Sequence, residues 1–232
     1  MKAVNLRMLE FIASKLENLC NDLVFLGGCA TAALITDPSV PEVRATFDVD
    51  CIVDAISQSE YYKIEKKLRD KGFKQSHNDD IICRWHYDDM ILDVMPTDEK
   101  ILGFGNRWYK SAIKHTITYS LTENISINVV SSPYFFATKL EAFHTRGNSD
   151  FMASHDFEDI VSVLDGRANI IYEIIQSEYE VKEYLQSTFK EFINNRAFWD
   201  SLPGHFSPYG NLMGDRIKLL KNNLDAIIGE KI

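Results

Sequence analysis

Two aspartates separated by a single residue form the first chemically suggestive pattern in this sequence. Asp48 and Asp50 lie in the segment TFDVDCIV, where residue types alternate as they do along a β-strand. Side chains at alternate strand positions project from the same face, so the two carboxylates are expected to lie close together. Like charges held together need a compensating cation, and hard carboxylate oxygens suit Mg²⁺. The pair therefore predicts a magnesium site, although an isolated D-x-D is also common in turns and on solvated strand edges.

A third aspartate and a pair of glycines extend this pattern. Asp93 stands in MILDVMP, a second apolar strand, and becomes a third metal ligand if that strand neighbours the first. Gly27 and Gly28 end the apolar run LVFL and precede a helical segment. Glycine lets the backbone approach phosphate closely, and a helix N-terminus presents free N–H groups to an anion. Three carboxylates with two magnesium ions beside such a turn predict activation of an acceptor hydroxyl and stabilisation of leaving pyrophosphate.

Four sequence motifs together resemble a known family. FLGGCATAAL and RATFDVDCIV are similar to the G-G and D-x-D signature of the DNA polymerase beta-like nucleotidyltransferase superfamily. Within that superfamily the resemblance is closest to the AbiEii-type toxins, the group that includes the mycobacterial MenT enzymes. KLEAFHTR at 139–146 is similar to that group's lysine–arginine motif, and HDFEDI at 155–160 to its D-x-x-D motif. The resemblance covers roughly residues 23–165, and the motifs stand in the family's order.

The resemblance implies a magnesium-dependent enzyme that moves a nucleoside monophosphate from a nucleoside triphosphate, such as ATP, to an acceptor. Several enzymes of this group modify the acceptor end of transfer RNA, and they are commonly encoded beside a cognate antitoxin. The metal ligands that it implies are Asp48 and Asp50, with Asp93 added by its context. The nucleotide-binding residues that it implies are Gly27, Gly28, Thr46, Lys139 and Arg146. The catalytic residues that it implies are Asp48, Asp50 and Lys139, together with Asp156 or Asp159.

The charged residues of the two later motifs also have simpler interpretations. Lys139 and Arg146 are seven residues apart, so a helix places both on one face, where two cations can meet phosphates. A solvated charged stripe is the alternative for this pair. Asp156 and Asp159 likewise share a helix face, and favourable placement of acidic residues near a helix N-terminus is the alternative for them.

Composition narrows the class of protein without fixing the acceptor. The chain is 45% hydrophobic and 25% charged, as globular proteins are, and its longest apolar stretches are too interrupted to predict a membrane span. Four dispersed cysteines without a C-x-x-C pair, and an N-terminus without a signal-peptide pattern, predict a cytoplasmic location. The net charge of −9 disfavours a broad nonspecific nucleic-acid surface but allows a local basic groove. It leaves open a small-molecule nucleotidyltransferase of the aminoglycoside-modifying kind, and a non-catalytic nucleotide-binding protein is the third possibility.

The pattern of elements predicts an α/β nucleotidyltransferase fold in which a small mixed sheet is followed by a helical C-terminal part. We expect residues 1–130 to form the catalytic core and residues 131–232 to complete the active site. Predicted strands cover 23–26, 46–53, 81–87, 90–95, 116–121 and 125–130, the third and fourth forming a hairpin around residues 88–89. Predicted helices cover 5–20, 58–71 and 132–146, with Ser132 as a cap, and Ser154 caps the next helix.

Overall fold

The chain folds into two compact units. The computed structural model describes residues 2–40, 43–77 and 79–229. The first unit consists of Met1–Ala33 and Glu42–Ser131, and the second of Leu34–Pro41 and Ser132–Ile232. All the strands of the sheet lie in the first unit, so the prediction of an α/β chain with a mixed sheet is confirmed at that level.

A six-stranded mixed sheet forms the centre of the first unit. Its strands are β1 (Leu23–Leu26), β2 (Asp48–Val53), β3 (Arg84–Tyr87), β4 (Met90–Pro96), β5 (Thr116–Ser120) and β6 (Ser126–Val130). The strand order is β3-β4-β2-β1-β6-β5. Strand β1 runs antiparallel to β2 and parallel to β6, β2 runs parallel to β4, and β3/β4 and β5/β6 are antiparallel hairpins. The central position of β1 explains why its four residues are all apolar and all buried.

The helices of the first unit support this sheet. They are α1 (Lys2–Leu16), α2 (Gly27–Leu34), α3 (Gln58–Asp70) and the short α4 (Tyr109–Ala112). Helix α1 buries Leu9, Ile12 and Leu16, which recur at helical spacing. It ends earlier than the sequence predicts because Glu17 adopts a left-handed φ of 49°, and a 3-10 helix, Glu17–Asp22, leads into β1.

The second unit is helical. Its helices are α5 (Ser132–Thr145), α6 (His155–Gly166), α7 (Ile170–Ile175), α8 (Tyr179–Ile193), α9 (Arg196–His205) and α10 (Met213–Ile228), with a 3-10 helix at Ser207–Leu212. Its core contains a cluster of phenylalanine rings whose neighbouring centroids are 4.9–5.9 Å apart. Its members are Phe143, Phe151, Phe157, Phe192 and Phe198. Within the ranges given above, no helix is both long and apolar enough to span a membrane.

The two predicted helix caps have different outcomes. Ser154 caps α6 as predicted, because its hydroxyl accepts a hydrogen bond from the backbone N–H of Phe157 at 3.3 Å. The prediction for Ser132 is wrong. Helix α5 begins at Ser132 itself, and the buried hydroxyl of this serine has no hydrogen-bond partner among the described residues. Pro133 nevertheless lies in the first turn, where its missing N–H costs no helical hydrogen bond.

Candidate active site

The glycine pair forms the turn between β1 and α2, directly against the D-x-D strand. Gly27 has a φ of +73°, which an L-residue adopts only with strain. A Cβ atom at Gly27 would lie 2.0 Å from Oδ2 of Asp50, and one at Gly28 would lie 2.9 Å from Nη2 of Arg44. Gly27 therefore excludes a side chain, whereas a Cβ at Gly28 would require only the end of the Arg44 side chain to move. Gly27 allows the carboxylate of Asp50 to approach the backbone where α2 begins.

The three predicted metal ligands lie on two neighbouring strands. Asp48 and Asp50 occupy alternate positions of β2, and Asp50 stands in register with Asp93 on the parallel strand β4. Their side chains therefore project from one face of the sheet. Asp93 is buried, whereas Asp48 and Asp50 are partly exposed. The condition on which Asp93 was added to the group, that the MILDVMP strand neighbours the D-x-D strand, is met.

An arginine that the sequence analysis did not select lies between these carboxylates. Arg84 on β3 pairs in register with Asp93. Its Nε and Nη2 donate to the two oxygens of Asp93 at 2.9 and 2.7 Å, and Nη2 also lies 3.3 Å from Oδ2 of Asp48. The hydrogen bonds from the guanidinium to Asp93 raise the pKa of Arg84 above its ordinary value. Arg84 is thus a permanent cation within the aspartate group.

The chain that leads into β2 is held in place by Thr46 and Asn5. The Thr46 hydroxyl donates to Oδ1 of Asp48 at 2.8 Å and so orients that carboxylate. Asn5 on α1 is fully buried; its amide nitrogen donates to the carbonyl of Arg44 at 3.0 Å, and its amide oxygen accepts from the N–H of Thr46 at 3.4 Å. Thr46, predicted to bind nucleotide, therefore supports Asp48 in this structure, and Asn5 is a supporting residue that sequence analysis missed.

The donor set of this face suits a hard divalent cation only in part. Among the residues that the structure describes, no group of three or more His, Cys, Asp and Glu side chains is arranged to hold a metal ion. Arg84 donates to both oxygens of Asp93 in this structure. Asp48 and Asp50 remain a pair that fits Mg²⁺, which commonly binds through one or two carboxylates together with water and substrate phosphates.

The lysine–arginine and D-x-x-D motifs meet within the second unit. Lys139 on α5 donates through Nζ to Oδ1 of Asp156 at 2.9 Å and to Oδ2 of Asp159 at 2.6 Å, both on α6. Arg146 donates to the two oxygens of Asp156, each at 3.0 Å. Lys139 is only 5% exposed, so the solvated-stripe alternative is wrong for this residue, whereas the Arg146 side chain is 74% exposed. The four residues form one ion-pair group.

Burial makes the charges of this group depend on one another. Burial alone would lower the pKa of Lys139, but the carboxylates of Asp159 and Asp156 outweigh it and raise the pKa above its ordinary value. Burial would raise the pKa of Asp156, yet Lys139 and Arg146 hold it at about 2. Lys139 therefore pairs with two buried aspartates here, and its predicted contact with phosphate stays a prediction.

The predicted site residues are brought together as two groups. The first unit contains Gly27, Gly28, Thr46, Asp48, Asp50 and Asp93, and the second contains Lys139, Arg146, Asp156 and Asp159. Within each unit the predicted residues lie on adjacent elements, as the motifs require. A scan against protein-family models finds no match to this sequence, and a search of curated proteins likewise finds none.

Proposed function

We propose that this chain is a magnesium-dependent nucleotidyltransferase. The observation that carries the proposal is the close approach of the Gly27 turn to the carboxylate of Asp50, on the sheet face that also presents Asp48. Backbone N–H groups at a helix start bind phosphate, and carboxylate oxygens bind magnesium. The β1–α2 turn and strand β2 supply both in adjoining positions.

The aspartate pair, Thr46 and the glycine turn each have a defined task in this proposal. Asp48 and Asp50 would hold magnesium, which when bound polarises the phosphates and neutralises charge on the leaving group. Thr46 fixes the orientation of the Asp48 carboxylate through its 2.8 Å hydrogen bond. The turn at Gly27 and Gly28 would bind phosphate oxygens through backbone N–H groups.

The reaction itself is a substitution at the α-phosphorus of the triphosphate. An acceptor hydroxyl oxygen forms a bond to that phosphorus while the bond to the bridging oxygen of the β-phosphate breaks. Pyrophosphate leaves with the electron pair of the broken bond, and the hydroxyl proton passes to a base. A carboxylate of the aspartate group is the candidate base, since Asp48 and Asp50 are both partly exposed.

We propose transfer RNA as the acceptor, and a role as the toxin of a toxin–antitoxin pair. This part of the proposal is supported by the order of the four motifs and by the ion-pair group that joins the last two of them. Asp156 and Asp159 would fix Lys139 and Arg146 in place, and the exposed guanidinium of Arg146 is the cation that can meet a phosphate.

Two alternative functions, a small-molecule nucleotidyltransferase and a non-catalytic nucleotide-binding protein, are each favoured by a separate observation. The net charge of −9 suits a polycationic small molecule, such as an aminoglycoside, better than it suits RNA. Arg84, which pairs with Asp93 and Asp48, supplies a cation at this face from the protein itself, with which a non-catalytic nucleotide-binding protein would bind phosphate without a metal. Measuring which acceptor receives the nucleotide distinguishes the small-molecule enzyme from the main proposal. Measuring whether nucleotide binding depends on magnesium distinguishes the non-catalytic protein from it.

A thermal-unfolding experiment tests the proposal. Each nucleoside triphosphate should raise the Tm with magnesium and not with EDTA, by the equivalent of roughly 2–4 kcal/mol at a hundred- to thousandfold excess over Kd. The variants Asp48→Asn and Asp50→Asn should lose this magnesium-dependent shift, while the exposed control Asp200→Asn should keep it. If a triphosphate raises the Tm equally with magnesium and with EDTA, the non-catalytic alternative is favoured. If no triphosphate raises the Tm, the proposal is refuted.

A further inference from the structure

Arg84 holds an unequal position between two aspartates of the candidate site. It makes two hydrogen bonds to Asp93, at 2.9 and 2.7 Å, in the side-by-side geometry that is strongest between arginine and a carboxylate. Its single contact with Asp48 is longer, at 3.3 Å. The Asp93 side chain is 8% exposed and that of Asp48 is 33% exposed. The Asp93 contact is therefore an anchor, and the Asp48 contact can be exchanged at low cost.

Among the described residues, some hydrogen-bond donors of Arg84 have no protein acceptor. A guanidinium has five N–H donors, of which Nε carries one and each Nη carries two. The contacts with Asp93 and Asp48 involve Nε and Nη2. Within the described ranges, neither N–H of Nη1 donates to a protein acceptor. A guanidinium that is fixed on one side and has donors left on the other is the arrangement that proteins use to bind phosphate.

Magnesium and Arg84 would compete for the same atom. Oδ2 of Asp48 is the oxygen that faces Arg84, while Oδ1 accepts from Thr46. When a cation binds this carboxylate, the guanidinium loses an anionic partner and gains a like-charged neighbour. It remains held by Asp93, and an anion that arrives with the metal would replace the lost partner.

We propose that Arg84 is a triphosphate-binding residue, anchored on Asp93, which exchanges Asp48 for a phosphate oxygen when the metal–triphosphate complex binds. The ligand class is a polyphosphate, and the inference rests on the proposed function. It assigns Asp93 a positioning role: Asp93 holds Arg84, and the metal is bound by Asp48 and Asp50.

Binding measurements on the full chain test this assignment without an acceptor. Mn²⁺ replaces magnesium as the metal probe and is titrated by electron paramagnetic resonance, and inorganic triphosphate with excess magnesium is titrated by calorimetry. In Arg84→Gln, Mn²⁺ should bind about two- to fivefold more tightly, because a competing cation is gone. Triphosphate should bind about 10- to 100-fold more weakly, because charge-assisted hydrogen bonds are lost. Arg196→Gln removes the same charge from an exposed side chain and should change neither affinity.

Two further variants separate anchoring from other roles. Asp93→Asn should weaken triphosphate binding as Arg84→Gln does, since it releases the anchor, but it should not tighten Mn²⁺ binding, because Arg84 stays beside Asp48. A loss of Mn²⁺ affinity in Asp93→Asn as large as that in Asp48→Asn would make Asp93 a metal ligand and overturn the assignment. Arg84→Lys keeps the charge but not the two-pronged geometry, so its triphosphate affinity should also fall, and it serves where Arg84→Gln does not fold. Unchanged triphosphate affinity in folded Arg84 variants overturns this inference alone. A wild-type chain that binds neither probe refutes the proposed function and this inference with it.

Discussion

Replacing Lys139 with methionine removes the cation of the buried ion-pair group and keeps a side chain of similar length. The lysine contacts Asp156 at 2.9 Å and Asp159 at 2.6 Å, and all three side chains are at most 8% exposed. Loss of one partner from a buried ion pair leaves uncompensated charge and costs about 3–5 kcal/mol. At about 2–4 °C per kcal/mol for a chain of this size, we expect the Tm to fall by roughly 6–20 °C.

A surface pair and a double variant are the controls for this prediction. Lys110 forms an ion pair with Asp98 at 3.2 Å but is 61% exposed, so Lys110→Met should cost about 1 kcal/mol or less. Adding Asp159→Asn to Lys139→Met removes one of the buried charges left behind and should restore part of the lost stability. Denaturant unfolding followed by circular dichroism measures all these variants. If Lys139→Met unfolds like Lys110→Met, the lysine is not buried among the aspartates, and a direct phosphate contact by an exposed lysine becomes the better interpretation.

Three further predictions concern pH, the glycine turn and a buried amide. Asp156 has a pKa of about 2 against its ordinary 3.8, so its stabilising effect is complete above about pH 4 and is lost as the pH falls toward 2. The stability difference between wild type and Asp156→Asn should therefore shrink by about 2 kcal/mol between pH 5 and pH 2 in urea unfolding, and parallel pH curves would contradict this. Gly27→Ala forces a Cβ against the Asp50 carboxylate and should abolish triphosphate binding, whereas Gly214→Ala, with open space around it, should bind normally; equal binding would show that the turn is not part of the site. Asn5→Leu removes the hydrogen-bond partners of the Arg44 carbonyl and the Thr46 N–H, so it should lower the free energy of unfolding by about 2–4 kcal/mol. A decrease below about 1 kcal/mol would mean that these hydrogen bonds contribute little to stability.

Much of the aspartate group follows from local sequence rules. The alternation in TFDVDCIV places Asp48 and Asp50 on one face, because strand side chains alternate regardless of what packs on the sheet. The hairpin turn at residues 88–89 also fixes a register: the fourth pair back from it joins Arg84 to Asp93. The hairpin register therefore predicts that Arg84 lies beside Asp93. The apolar pattern identified the strand that carries Asp93, but it contains no signal for the arginine on the neighbouring strand.

Other parts of the site depend on tertiary structure and leave little trace in sequence. The burial of Lys139 depends on α6 packing against α5, which brings Asp156 and Asp159 to its ammonium group from positions 17 and 20 residues further along the chain. A lysine at helical spacing from an arginine reads as surface charge until that packing is known. Asn5 similarly sits in an apolar helix face, and its partners lie about 40 residues away, in the chain before β2.

Nucleotidyl transfer itself can be measured with position-specific labels. The chain is incubated with magnesium and each of the four nucleoside triphosphates, labelled in parallel at the α- or the γ-phosphorus, against total transfer RNA, a protein mixture and small polyamines. The α-label should enter the transfer RNA fraction while the γ-label appears only in pyrophosphate, and EDTA, Asp48→Asn and Asp50→Asn should each abolish the transfer. Transfer of the α-label to no acceptor with any triphosphate, transfer of the γ-label, or undiminished transfer by the aspartate variants would contradict a magnesium-dependent nucleotidyltransferase.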